Sequence, residues 1–219
     1  MFNKKNILWD QDHTVLEGNL DNPNNFKTNK SLRKELKKDN NIGYNHFIFS
    51  NKSKDASIRK SKISNMHDLF TEYFDSRKIT GSKSIESFSK WSSLGLNKLI
   101  ENTIYIGDNI DGEIIYDVPN LVQIFNRNAI NHDVKIYFEI MKYLEKLSNN
   151  NYSKAFDLAY KSNSLNKVNQ KGIEFLLQPI KINNLFNSRS NYQDYQKVNL
   201  TGYANIILIS KVNKKYLLN

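Results

Sequence analysis

Two carboxylates and a hydroxyl in Trp9-Asp10-Gln11-Asp12-His13-Thr14 follow directly on the apolar pair Ile7-Leu8. The apolar pair reads as a short buried strand, and the carboxyl end of such a strand is where open α/β sheets keep their chemistry. Side chains alternate between faces only while a strand continues, so a turn straight after Asp10 lets Asp10 and Asp12 converge on one site. Two close carboxylates repel, and the pair therefore calls for a compensating cation, either a metal or a lysine. Taken alone, this spacing is also what an ordinary strand-to-turn junction shows, because Asp is a good turn former.

Three further segments carry polar groups to places where they could join that pair. His46-Phe47-Ile48-Phe49-Ser50-Asn51 is an apolar run ending in a hydroxyl and an amide. Thr103-Ile104-Tyr105-Ile106-Gly107-Asp108-Asn109-Ile110-Asp111 ends in Gly and two carboxylates. Both read as buried parallel strands. Lys83 sits between them in the polar loop Gly81-Ser82-Lys83-Ser84, just ahead of a helical pattern over residues 85–96.

This ordered set, DxDxT, then Ser-Asn, then Lys, then GDxxD, resembles the haloacid dehalogenase (HAD) superfamily of phosphatases and phosphotransferases. The likeness covers roughly residues 6–126, and each motif closes an expected strand or opens an expected helix. Residues 67–76 also look like the family's helix that ends in a Phe-Asp turn. Two departures stand out: His13 replaces the commoner Gly, and only two residues separate Asp108 from Asp111, which leaves Glu113 as a competitor for the last acidic role.

The resemblance implies a Mg²⁺-dependent phosphatase acting on a phosphate monoester. Asp10 would be the nucleophile that forms an aspartyl-phosphate, and Asp12 the general acid and base. Thr14, Ser50, Asn51 and Lys83 would bind phosphate, with Lys78, Lys90 and Lys98 as rivals of Lys83. Asp10, Asp12 through its backbone carbonyl, Asp108 and Asp111 would hold the metal. Two alternatives stay open: end-processing of nucleic acid or nucleotides, and a non-catalytic binding protein on the same fold.

The four histidines, His13, His46, His67 and His132, show no metal-ligand spacing, and His13 alone lies near the proposed chemistry. Composition fits a cytoplasmic globular enzyme. The chain has 219 residues with 39% hydrophobic and 25% charged, and it lacks cysteine, which removes disulfide and thiolate chemistry. The first residues pass at once into the expected first strand, so a cleavable apolar leader is not expected, and no run reaches the ~18 apolar residues of a membrane span. The net charge of +10 raises the local concentration of anionic substrates. The lysine clusters over 27–38 and 52–62 are not interleaved with aromatics and read as solvated helix faces.

The expected fold is α/β: a Rossmann-like parallel sheet flanked by helices, a HAD-like three-layer sandwich. Strands are expected at 6–10, 46–49, 77–80, 103–106 and 121–125, helices at 29–38, 54–65, 67–73, 85–96 and 131–147, and a small hairpin flap at 17–25. Strands alternating with helices at this spacing imply right-handed crossovers. The intervals from Asp10 to Ser50 and from Ser50 to Lys83 are filled by these elements, so no large inserted cap is expected. Residues 1–147 form the catalytic core, and residues 148–219 form a carboxyl-terminal extension of mixed helix and strand. The extension contains an apolar segment at 172–182 and an expected strand at 203–212, whose apolar stretches at 175–180 and 206–209 need burial. It is expected to act as a cap, an oligomerisation segment giving a homodimer, or an interaction segment.

Overall fold

The computed structural model describes residues 5–75, 102–109, 115, 121–148, 151, 152, 154–156, 158, 174–178, 195–201 and 206–211. Its elements, in chain order, are β1 (Lys5–Trp9), β2 (Leu16–Glu17), β3 (Lys27–Thr28), α1 (Leu32–Ile42), β4 (Tyr44–Ser50), α2 (Lys54–Ile63), β5 (Glu72–Asp75), β6 (Thr103–Gly107) and β7 (Val122–Asn126), followed by α3 (Lys135–Ser148), β8 (Glu174–Gln178), β9 (Tyr195–Thr201) and β10 (Ile206–Lys211).

The apolar runs of β1, β4, β6 and β7 show little alternation because both faces of the sheet they form are buried. Ile7, Trp9, Ile48, Ile104 and Ile106 enter one core cluster with residues of α1 and α3. Leu8, Phe47, Phe49, Tyr105 and Phe125 are also buried. Three of them form an aromatic chain on the other face, with ring centroids 6.3 Å apart for Phe49 and Tyr105 and 5.7 Å for Tyr105 and Phe125. Each such side chain contributes about 1.5–3 kcal/mol when fully buried.

The sheet order is β5-β4-β1-β6-β7-β10-β9-β8. The first five strands are mutually parallel. The chain moves outward from β1 to β4 and β5 through α1 and α2, then returns to the other side of β1 as β6. That reversal makes the gap between β1 and β6 a topological switch point, the usual ligand crevice of such sheets. The last three strands continue the sheet beyond β7 as an antiparallel ribbon.

Between β1 and β4 the chain forms only the β2–β3 hairpin, a short 3-10 turn at Pro23–Asn25 and α1, so no domain is inserted there. Gly18 in the hairpin has φ +147°, and a Cβ at this position would lie 2.9 Å from the Phe26 ring. Glycine is therefore required on both counts. Leu32 and Leu36, one helical turn apart, bury the inner face of α1. Asn29 ties the start of α1 to the chain beyond β7, its Nδ2 donating to the carbonyls of Ala129 (2.8 Å) and His132 (2.7 Å).

The expectation of a helix over 67–73 is corrected. Only His67–Leu69 turns, as a single 3-10 turn, and Glu72–Asp75 is strand β5, parallel to β4 with Ser50 beside Asp75. Aromatic content decides this segment: Tyr73 packs with Phe70 and the core cluster, while the Phe74 ring lies tilted against Phe47 of β4, centroids 5.7 Å apart. The strand and helix expected at 77–80 and 85–96 lie outside the described residues.

Two polar residues brace this core, His46 fully buried and Glu145 partly buried. His46 accepts the Trp9 indole N–H at Nδ1 (3.1 Å), and burial pushes its imidazole down to about 3. Glu145 on α3 accepts the hydroxyls of Tyr44 (3.1 Å) and Tyr152 (2.9 Å) and pairs with Lys5, which fastens α3 and the segment after it to β1 and β4. Burial and the adjacent Glu145 carboxylate raise the Tyr152 phenol well above its ordinary range. Among the described residues no helix is long and apolar enough to cross a membrane.

Candidate functional site at the carboxyl edge of the sheet

Trp9, the last residue of β1, lies beside Ile48 of β4 and Ile106 of β6. Asp10 is still held to the ladder, its N–H donating to the Ile106 carbonyl at 2.8 Å. The chain then turns tightly. The N–H groups of Val15 and Leu16 both reach the Gln11 carbonyl at 3.0 Å, and the His13 N–H reaches the Leu16 carbonyl at 2.9 Å. His13 takes up the left-handed backbone this turn needs, with φ +62°. A glycine would fit there most easily, and His is among the side chains that tolerate such a conformation. The His13 ring itself is exposed, with Nδ1 3.6 Å from Glu17.

Parallel neighbours put Ser50 at the end of β4 and Asp108 just past the end of β6, on either side of Asp10. Strands lie ~4.8 Å apart, so these three strand ends share about 10 Å of one sheet edge. Asp10 is only 3% exposed, and Ser50 and Thr14 are likewise buried. Ser50 Oγ accepts the Lys52 N–H at 3.1 Å, closing the turn after β4. Thr14 Oγ1 makes no hydrogen bond among the described residues. Asn51 is exposed and Asp108 partly buried. Lys83, Asp111 and Glu113 lie outside the described residues.

One carboxylate of the pair, Asp12, has a cationic partner in Lys60. Its Nζ lies 2.5 Å from Asp12 Oδ1, with the lysine side chain 8% exposed and the aspartate 29%. Reading residues 52–62 as a solvated basic face is therefore corrected at this position, although Lys52, Lys54 and Lys62 are exposed as expected. The buried side of α2 is Ser57, Lys60 and Ser61, at helical spacings of three and four. Two serines let the helix come close to the β1 loop. Gln11 Nε2 then donates to the Ser57 carbonyl (2.8 Å) and to Ser61 Oγ (3.0 Å). That small-small-basic stripe was the available signal for Lys60.

The donors brought to this edge are carboxylates, hydroxyls and backbone carbonyls. Such oxygen sets suit hard cations of the Mg²⁺ type. Among the described residues no three His, Cys, Asp or Glu side chains gather as a metal cluster. A separate cavity of about 600 Å³ lies between the β3 hairpin and the turn after β7, lined by Lys27, Lys30, Ser31 and His132 among others, and none of the sequence-derived site residues lines it.

No protein-family model matches the chain, and no curated protein matches it. Among solved structures, a haloacid dehalogenase-like hydrolase from Streptococcus pneumoniae is similar at 12% identity and TM-score 0.37, over 50% of this chain and 78% of that one. The core domain of a candidate phosphoglycolate phosphatase from Streptococcus pneumoniae TIGR4 is similar at 24% identity and TM-score 0.31, over 48% of this chain and 67% of that one. An uncharacterized protein from Listeria monocytogenes serotype 4b is similar at 16% identity and TM-score 0.35, with the same coverage as the candidate phosphatase. At these values the matches carry no argument, and the fold rests on the strand order.

Proposed function

We propose that the protein is a Mg²⁺-dependent phosphatase of the haloacid dehalogenase type, hydrolysing a phosphate monoester through a phosphoryl group carried on Asp10. The observation behind this reading is the placement of Asp10, Ser50 and Asp108 at the carboxyl ends of three adjacent parallel strands around the switch point, with Asp12 two residues on.

In the first half-reaction a carboxylate oxygen of Asp10 attacks phosphorus in line. The ester P–O bond breaks, and the leaving oxygen takes a proton from Asp12. In the second, Asp12 takes a proton from a water that attacks the same phosphorus, the P–O bond to Asp10 breaks, and inorganic phosphate leaves. Thr14, Ser50, Asn51 and Lys83 hold the transferring oxygens as fixed donors. Mg²⁺, held by Asp10, the Asp12 carbonyl, Asp108 and Asp111, would neutralise phosphate charge so that the anionic ester can approach two carboxylates.

The substrate is a small phosphorylated metabolite in this reading. The net charge of +10 favours phosphorylated nucleic-acid ends as the second candidate. A phosphate-release screen over sugar phosphates, nucleotides and 5′- or 3′-phosphorylated oligonucleotides, with and without Mg²⁺, tests both. Turnover of sugar phosphates supports the first class, turnover confined to oligonucleotides replaces it with the second, and release from none rejects the enzyme.

A further inference from the structure

We propose that Lys60 is a positioning residue that acts through Asp12, holding this carboxylate in place over the β1 loop for its two proton transfers. The inference rests on the phosphatase reading and adds to it a residue that lies in none of the four motifs. Lys60 Nζ engages Asp12 Oδ1 at 2.5 Å, while Oδ2 receives no hydrogen bond from any described residue and is the oxygen left to exchange protons. An aspartate has two soft side-chain torsions. Anchoring one oxygen restricts both, and a catalytic group displaced by about 1 Å loses ~10²-fold in rate.

The surroundings argue against an incidental surface pair. Such pairs are exposed and screened, whereas this lysine is buried on the face of α2 that docks on the loop. The docking is reinforced one residue away by Gln11, whose amide grips the Ser57 carbonyl and Ser61 Oγ. The loop carrying Asp10 and Asp12 is thus clamped to α2 at two consecutive residues. Asp12 is the point at which the clamp meets the chemistry.

The test is a double-mutant cycle in the full chain, with p-nitrophenyl phosphate as the probe. Lys60→Met keeps the aliphatic stem and removes the charge. It is expected to lower kcat by about 10- to 100-fold with KM changed by less than about threefold. Introduced into Asp12→Asn, the same change should lower kcat by less than about twofold, because the residue it acts through is already gone. Lys60→Arg should restore part of the loss, and it serves as the cycle's second variant if far-UV circular dichroism shows the methionine protein unfolded. An equal loss in both backgrounds, or a rise in KM with kcat unchanged, overturns the proposal, the latter by making Lys60 a direct phosphate ligand. Wild-type turnover that is lost in Asp10→Asn, together with an additive cycle, sinks the role of Lys60 alone. Absence of turnover in the wild type sinks the phosphatase reading and this role with it.

Discussion

The parallel strands β5-β4-β1-β6-β7 and the antiparallel strands β10-β9-β8 belong to one sheet, yet they treat their ends differently. In the parallel part every strand points the same way, so whatever follows each strand is delivered to a common edge. Asp10, Ser50 and Asp108 arrive there from three neighbouring strands. In the antiparallel part successive strands end on opposite edges, and no such set can accumulate. Residue pattern follows the same division. β6 reads Thr-Ile-Tyr-Ile-Gly and is buried throughout, while β9 reads Tyr-Gln-Lys-Val-Asn-Leu-Thr with polar and apolar residues mixed. Strand direction thus gathers the polar strand ends at one edge of the parallel part and disperses them in the antiparallel part.

That division is open to attack at several points. The largest effect is expected at the parallel edge: Asp10→Asn should lower turnover by at least ~10³-fold while leaving the circular dichroism spectrum and Tm unchanged, because the nucleophile is lost with little change in volume. Residual activity within about tenfold of wild type would remove Asp10 from the chemistry. Chelating divalent ions should reduce phosphate release by ~10²-fold or more, with recovery on adding Mg²⁺, and full activity in chelator would reject the metal.

The antiparallel part should behave in the opposite way. Leu208 on β10 is fully buried in the main core cluster, so Leu208→Ala is expected to cost about 2–5 kcal/mol in urea unfolding with kcat of the folded protein within about twofold. A large fall in kcat with stability unchanged would place the extension in the chemistry after all.

The smallest effect concerns acid. His46 titrates near 6.5 when unfolded and near 3 when folded, so only the unfolded chain gains a proton as pH falls between these values. Stability contributed by neutral burial is complete above about pH 6.5 and drains away below it, by about 2 kcal/mol between pH 6.5 and 5. His46→Gln keeps an acceptor for the Trp9 indole and should flatten this slope in urea titrations at the two pH values. An unchanged slope would show that another group governs acid sensitivity.

Much of the parallel part is legible from the amino-acid order because unbroken apolar runs such as Asn6-Ile7-Leu8-Trp9 and Phe47-Ile48-Phe49 leave few other structures to adopt. The β2–β3 hairpin could be read from its Asn, Asp and Gly content. Residues 67–75 misled because a local helical pattern was overridden by β5 pairing with β4, a contact distant in sequence. β9 was hidden for a similar reason: its mixed pattern acquires meaning only once β8 and β10 flank it. Lys60 was obscured by its own cluster, since burial of one lysine among exposed ones depends on which face of α2 meets the β1 loop.

In the proposed reaction Asp10 carries the phosphoryl group. Asp12→Asn protein incubated with p-nitrophenyl phosphate should accumulate the intermediate, because an aryl leaving group needs little protonation whereas the attacking water still needs a base. Acid quench, digestion and mass spectrometry should then find the mass of one phosphoryl group on the peptide containing Asp10, and none when Asp10→Asn is added. Phosphate release without that adduct, or with the adduct on a different residue, would contradict the account.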